Sequence, residues 1–359
     1  MVHVKKSLEL QWLEILSERC KPNPYLQRRL CLAQLGYQGE KDFADLASAY
    51  IPDHWALLHD LTFKRAGRHL QIDFVLVTPH TLLVLEIKNF QVHYRLEGSK
   101  LVGDKGTVFR NIFYQVENGI DYLKTLLGSK FPVEGQLVFM SDQNRVDFAG
   151  QYTGDYLKRW QVGDYFNQIK AKQSASGLDV ARLAQFLQDQ SLPSHEGIDF
   201  LGRERLSDLR GGLICEVCQS SQLNRYSKSF LQCSHCGHME SQGKAIYRTI
   251  CDYAVLNYNK SLRLQDLAQF MDGQVNYKTL SRYFREYKAS HKLGRLAEHY
   301  PYQDLPFPRK SCKCSHCRDK GWSKSRFLEF SNNRCSLRKN RLDSRITLVV
   351  WEKQPKILK

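Results

Sequence analysis

The stretch from Gln71 to Phe90, QIDFVLVTPHTLLVLEIKNF, constrains the chain most. Two apolar runs of strand length flank Thr78-Pro79-His80-Thr81, and the whole reads as a β-hairpin. A turn symmetric about the Pro79–His80 bond places Asp73 opposite Glu86 and Gln71 opposite Lys88. Strand side chains alternate and opposed residues share a face, so Asp73, Glu86 and Lys88 project together. Ile72, Phe74, Leu76, Leu83, Leu85 and Ile87 form the other, wholly apolar side, which belongs against a core. Charges at one end of such a pair cost several kcal/mol, as an order of magnitude, unless they offset one another or bind an ion. A solvated hairpin end is the plainer reading of a Glu-x-Lys tripeptide. Two opposed carboxylates, however, suit one hard cation such as Mg²⁺, with Lys88 beside it. That is a layout for metal-assisted phosphodiester cleavage.

Asp73 followed by Glu86-Ile87-Lys88 resembles the PD-(D/E)xK nuclease signature. Residues 36–140 are similar to the nuclease-related domain (NERD) family, with Gly39-Glu40 opening a helix, Gln115 on a later helix and the strand Gly135–Met140. One departure is Asn89-Phe90-Gln91-Val92, which lacks the glycine the family often carries there. The resemblance implies a mixed sheet flanked by helices, and Mg²⁺ or Mn²⁺ held by Asp73, Glu86 and the Ile87 carbonyl. It also implies that Lys88 positions the attacking water and that Glu40 and Gln115 border the site. By its place in the first turn of a helix over Gly39–Ile51, Glu40 also fits a plain helix-dipole role.

Charge and cysteine divide the chain near residue 200. Residues 1–200 hold 23 Lys+Arg and 23 Asp+Glu, so of the chain's 53 and 37 the remainder hold 30 and 14, the whole excess of +16. A basic surface of that size serves a polyanion, and nucleic acid is the expected one. Of the 11 cysteines only Cys20 and Cys31 precede residue 200, a clustering that points to metal ligands rather than disulfides. No apolar run reaches the roughly 20 residues a membrane span needs, and the N-terminus shows no signal-peptide pattern, so a cytoplasmic protein is expected.

Residues 1–35 read as one or two short helices broken at Pro22 and Pro24. Trp55–Phe63 then reads as a strand leading through Lys64–Arg68 into the hairpin, and short strands follow Phe90. Phe113–Leu127 has a helical period, with Gln115 near the edge of its apolar stripe, and Val133–Met140 is a buried strand. Helices over Asp155–Ile169 and Leu178–Leu187 close the first domain, an α/β sandwich.

Cys215, Cys218, Cys233 and Cys236 form CxxC, fourteen residues, CxxC, close to the spacing of a structural zinc ribbon. Beyond it, Leu264, Leu267, Ala268 and Met271 form one stripe, Asp272-Gly273-Gln274 a turn, and Leu280, Tyr283 and Phe284 a second stripe. This helix-turn-helix pattern would present Asn276, Lys278, Thr279, Arg282 and Arg285 to nucleic acid, although ordinary helical hairpins share it. Cys312, Cys314, Cys317 and Cys335 offer a second zinc site, and Arg345–Trp351 a closing strand.

The expected architecture is an N-terminal helical segment (1–35), a nuclease-like α/β domain (36–200), a zinc ribbon (205–242), a helix-turn-helix-like region (243–300) and a basic cysteine-containing segment (301–359). The expected function is Mg²⁺-dependent hydrolysis of DNA, in preference to RNA, directed by the C-terminal half. The alternative is a DNA-binding regulator in which the nuclease-like fold is a non-catalytic scaffold.

Overall fold

The computed structural model of the chain describes residues 4–20, 24–90, 94–97, 100–103, 108–110, 112–141, 146–147, 156–172, 177–192, 209–257 and 262–290. The second cysteine set, Cys312, Cys314, Cys317 and Cys335, and the expected strand Arg345–Trp351 lie outside them.

Helices α1 (Leu8–Arg19) and α2 (Pro24–Ser48) precede β1 (Ala56–Arg65), β2 (Arg68–Val77) and β3 (Leu82–Lys88). Short strands β4 (Tyr94–Glu97), β5 (Lys100–Gly103) and β6 (Val108–Arg110) lead to α3 (Phe113–Leu127) and β7 (Val133–Phe139). Then come β8 (Val146–Asp147), β9 (Tyr156–Lys158), α4 (Val162–Ala171) and α5 (Val180–Gln190). The remainder comprises β10 (Leu223–Arg225), β11 (Phe230–Cys233), β12 (Met239–Ser241), α6 (Gln242–Leu256), α7 (Leu264–Phe270) and α8 (Tyr277–Ser290).

The main sheet has the order β1-β2-β3-β7-β9. Its first three strands are antiparallel neighbours, while β3, β7 and β9 run parallel, so the sheet is mixed. The central hairpin has the expected register, pairing Val77 with Leu82 through Phe74 with Leu85. Thr78 fixes it: its hydroxyl accepts from the backbone N–H groups of His80 and Thr81 and donates to the Thr81 carbonyl, closing the turn on itself.

Two expectations fail at the open end of that hairpin. The ladder stops at Phe74–Leu85, so Asp73 does not face Glu86 in a backbone pair, nor Gln71 Lys88. Ile72, expected on the side of Phe74 and Leu76, packs on the opposite one, and both sides of the hairpin are apolar because helices cover both sides of the sheet. Phe74, Leu76, Leu83, Leu85 and Ile87 join a core with α2 and α4, while Val75, Val77, Leu82 and Val84 join a second core with α3 and α5. Ile72 packs with the second set, three residues from Val75, and opposite them Leu61 and Leu58 show the same spacing. The alternation therefore slips between them, at Asp60, whose backbone is left-handed at φ 55°. Asp73 stands at the slip.

The α2 helix also departs from the expected pattern. Instead of a break before a new helix at Gly39, it runs unbroken from Pro24 to Ser48, about 37 Å at 1.5 Å per residue. A helix interior thus crosses the boundary expected at residue 35. Residues 156–158, expected to be helical, instead form the edge strand β9, paired to β7.

The N-terminal helix is tied to the C-terminal elements. Leu8, Trp12, Leu13, Ile15 and Leu16 of α1 bury against Val255 and Leu256 of α6, with Leu26, Leu30 and Ala33 of α2 alongside. Arg19, 2% exposed, pairs with Asp252 of α6 at 2.8 Å, donates to the carbonyls of Arg210 and Gly212, and lies over the Phe270 ring. Breaking a buried pair on one side leaves the other charge uncompensated. Arg19→Ala is expected to cost about 3–5 kcal/mol, read from urea unfolding.

Next to it, burial and the Asp252 charge, opposed by Arg19, push Glu18 up to about 7; Glu14 adds to the rise and Arg248 opposes it. The folded chain thus holds this proton more tightly than the unfolded chain, whose carboxyl keeps its ordinary value of 4.5, and stability declines as pH climbs from 4.5 to 7. Glu18→Gln removes that decline. The variant should exceed the parent by roughly 1–2 kcal/mol at pH 8, where the parent carries the full penalty, and not at pH 4, where Glu18 is protonated in both states. Thermal melts at the two pH values check it.

Candidate functional site

The parallel pair β3/β7 ends at Lys88 and Phe139, and four of the sequence-selected residues, Asp73, Glu86, Lys88 and Glu40, converge there. Carboxyl ends of parallel strands are where open α/β sheets place their ligands. Asp73 Oδ2 accepts the Ile87 N–H at 2.9 Å, so a side chain takes over where the backbone ladder ceases. Glu86 is 2% exposed and ion-paired through Oε1 to Lys88. Glu40 comes in from α2, and its Oε2 meets His59 Nε2 of β1 at 2.8 Å.

Because α2 is continuous, Glu40 lies deep in its interior, far from any N-terminal dipole, and the dipole role fails. What places Glu40 is the neighbouring Gly39. A Cβ on Gly39 would stand 2.5 Å from that of Asn89, whose amide donates to the Leu35 carbonyl at 2.9 Å. The helix thus lies directly on the end of β3.

The electrostatics follow from crowding acids in a dry corner. Burial, with the Asp73 charge added and Lys88 opposing, pushes Glu86 up to about 8. Burial also raises Glu40, against the pull of its His59 hydrogen bond, and Asp73 again adds to the rise. Lys88 is drawn down by burial, yet the carboxylates of Glu86 and Asp73 outweigh this and leave it above its usual value. The three acids each make one side-chain hydrogen bond, so Asp73 Oδ1, Glu40 Oε1 and Glu86 Oε2 remain unbonded among the described residues. Those oxygens are hard donors in a corner where burial and neighbouring carboxylates raise Glu86 and Glu40, and this fits a divalent cation. They are not gathered as a finished cage. Among the described residues, only the four cysteines bring three or more ligand atoms together.

Gln115 is exposed in the first turn of α3, and its side chain hydrogen-bonds to none of these groups. His59 was not singled out by sequence, because a lone histidine in a strand carries no pattern. Its side chain is 8% exposed and stacks on Phe74 at 4.8 Å, a placement that exists only once β1, β2 and α2 are assembled.

Residues 35–140 match the nuclease-related domain, NERD. No curated protein and no solved structure matches the chain. The NERD segment holds Glu40, His59, Asp73, Glu86, Lys88 and Gln115, and it ends with β7.

Outside the NERD segment, Cys215, Cys218, Cys233 and Cys236 bring their sulfurs within 4.8 Å of one another. Each CxxC turns back on itself: Gln219 N–H donates to the Cys215 carbonyl and Gly237 N–H to that of Cys233, with Gln219 and Gly237 both left-handed. Burial lifts the Cys233 thiol, but backbone N–H groups of Cys236 and His235 outweigh it and leave about 7. Four sulfurs in this arrangement can hold a metal ion such as zinc. His238 is engaged by Glu216 at 2.9 Å instead, and His235 is exposed.

The helix pair α7/α8 buries Leu267, Met271, Leu280, Tyr283 and Phe284 as the sequence indicates, with Tyr287 added, around a turn left-handed at Asp272 and Gly273. Asn276, Lys278, Arg282 and Arg285 are exposed and Thr279 is half-buried. Asn276 accepts the Lys278 N–H at 3.0 Å, so it also steadies the start of α8.

The Gly39–Asn89 contact is expected to be sensitive. Gly39→Ala should cost about 1–3 kcal/mol by forcing α2 off the end of β3. Chemical denaturation measures the loss.

Proposed function

We propose that the chain is a Mg²⁺-dependent nuclease that hydrolyses phosphodiester bonds of DNA, directed to its substrate by a C-terminal zinc ribbon and helix-turn-helix. The observation that carries this reading is the meeting of Asp73, Glu86 and Lys88 at the carboxyl end of β3, inside the NERD segment. Asp73 and Glu86 hold the ion, aided by the Ile87 carbonyl. Once bound, a divalent ion polarises a phosphoryl oxygen and lowers the pKa of its bound water.

The protein's own residues do the rest. The Ile87 N–H fixes the rotamer of Asp73 and leaves Oδ1 available. Lys88 stays charged beside Glu86, where it can orient water or offset charge that develops on the phosphate. His59 holds Glu40 in place as a third carboxylate. Phosphate contacts are delegated to the basic half of the chain, since residues 1–200 carry no net charge.

Cleavage of labelled single- and double-stranded DNA and RNA with Mg²⁺, Mn²⁺ or no divalent ion tests the reading. Asp73→Ala, Glu86→Ala and Lys88→Ala should each lose at least about a hundredfold in rate while remaining folded, which corresponds to roughly 2.7 kcal/mol or more of transition-state stabilisation. Nucleic-acid binding without cleavage by the parent chain under any of these conditions would favour the regulator with a non-catalytic scaffold.

For the cysteine cluster, elemental analysis of protein purified without chelators should find at least one zinc per chain, and Cys218→Ser with Cys236→Ser should lose one. Because structural zinc contributes directly to folding free energy, the double variant should also lower the melting temperature. A second zinc would implicate Cys312, Cys314, Cys317 and Cys335.

A further inference from the structure

Beside the exposed face of α8 lies an open cleft of about 610 Å³, between the segment that opens α7 and the length of α8. Among the described residues three cations line it, Arg263, Arg285 and Lys288, and no carboxylate does. Leu264 and Phe284 supply apolar lining, with the Lys288 ammonium 4.7 Å from the centre of the Phe284 ring. At the start of α8, Tyr277 is 56% exposed even though it belongs to the same lining.

That combination discriminates between forms of nucleic acid. A duplex turns its phosphates outward and keeps its bases stacked inside, so along its length it can reach the cations but offers an aromatic surface no free base face. A single strand presents base faces as well as phosphates, and positively charged grooves with aromatic platforms are built to take both. We infer that the α7/α8 cleft binds a single-stranded nucleic-acid segment, with a base stacked on Tyr277 and the neighbouring phosphates met by Arg263, Arg285 and Lys288. The inference rests on the reading of the C-terminal half as nucleic-acid-binding and specifies which form of the polymer this surface receives. Of these four, only Arg285 belongs to the face that the sequence pattern presents to nucleic acid; Tyr277, Arg263 and Lys288 join it only once α7 and α8 are packed.

The test is fluorescence anisotropy of the full-length chain, without added divalent ion, against a labelled single-stranded DNA oligonucleotide and the corresponding blunt duplex. Tyr277→Ala should weaken single-strand binding about tenfold, Tyr277→Phe should retain it, and duplex affinity should change less than about twofold. Arg263→Ala should lower the salt slope for the single strand by about 0.7, the contribution of one phosphate contact. Since Tyr277 and Arg263 side chains are not part of the core, circular dichroism should be unchanged. Equal losses on single strand and duplex, or no loss on either, would overturn the cleft assignment while leaving nucleic-acid binding intact. Failure of the parent chain to bind either polymer would overturn the underlying reading and the inference with it.

Discussion

A nearly buried glutamate sets the terms for the NERD segment. Glu86 stands in a strand whose neighbours on both faces are core residues, and at 2% exposure it cannot be hydrated as an isolated anion. Lys88 pairs with it, but burial and the negative charge that Asp73 and Glu40 add to the same corner push its carboxyl up to about 8. A fold selected for stability alone has a simpler solution, an apolar residue at this position. Keeping three acids and one lysine at the end of β3 makes physical sense if a cation completes the set. The Asp73–Ile87 hydrogen bond, the slip at Asp60 and the close seat of α2 on Asn89 all shape that corner.

The α2 helix also connects this corner to the rest of the molecule. Its first turns pack with α1 and the end of α6, while its later turns carry Phe43, Ala44 and Ala47 into the sheet core and Glu40 to the acids. The N-terminal helix therefore belongs structurally with elements two hundred residues later, held by a buried arginine–aspartate pair. A fragment beginning near residue 205 would expose the faces of Val255 and Leu256 and strand Asp252 without Arg19. The division by charge, neutral before residue 200 and basic after it, does not correspond to two independently packed halves.

Local patterns were legible in the sequence. The extents of α3 and β7 followed from their apolar periods, the hairpin register from the turn composition, and the sulfur cluster from its spacing, since each depends on residues close along the chain. The failures have a common origin in contacts between distant segments. The continuity of α2 was hidden because Pro24 starts the helix instead of breaking it, and Gly39 reads as a boundary when its role is to let Asn89 approach. The slip at Asp60 depends on a left-handed residue that carries no glycine to announce it. His59 acquires its meaning only from Glu40, nineteen positions earlier on another element.

The proposed sharing of a divalent cation by Asp73 and Glu86 underlies the whole reading of this corner. Anomalous diffraction from crystals soaked in Mn²⁺ addresses it without reference to activity. A peak is expected within coordination distance of Asp73 Oδ1 and Glu86 Oε2, absent from Glu86→Ala crystals treated identically. A fully soaked crystal with the corner accessible, manganese bound elsewhere and no peak between these two carboxylates would contradict it.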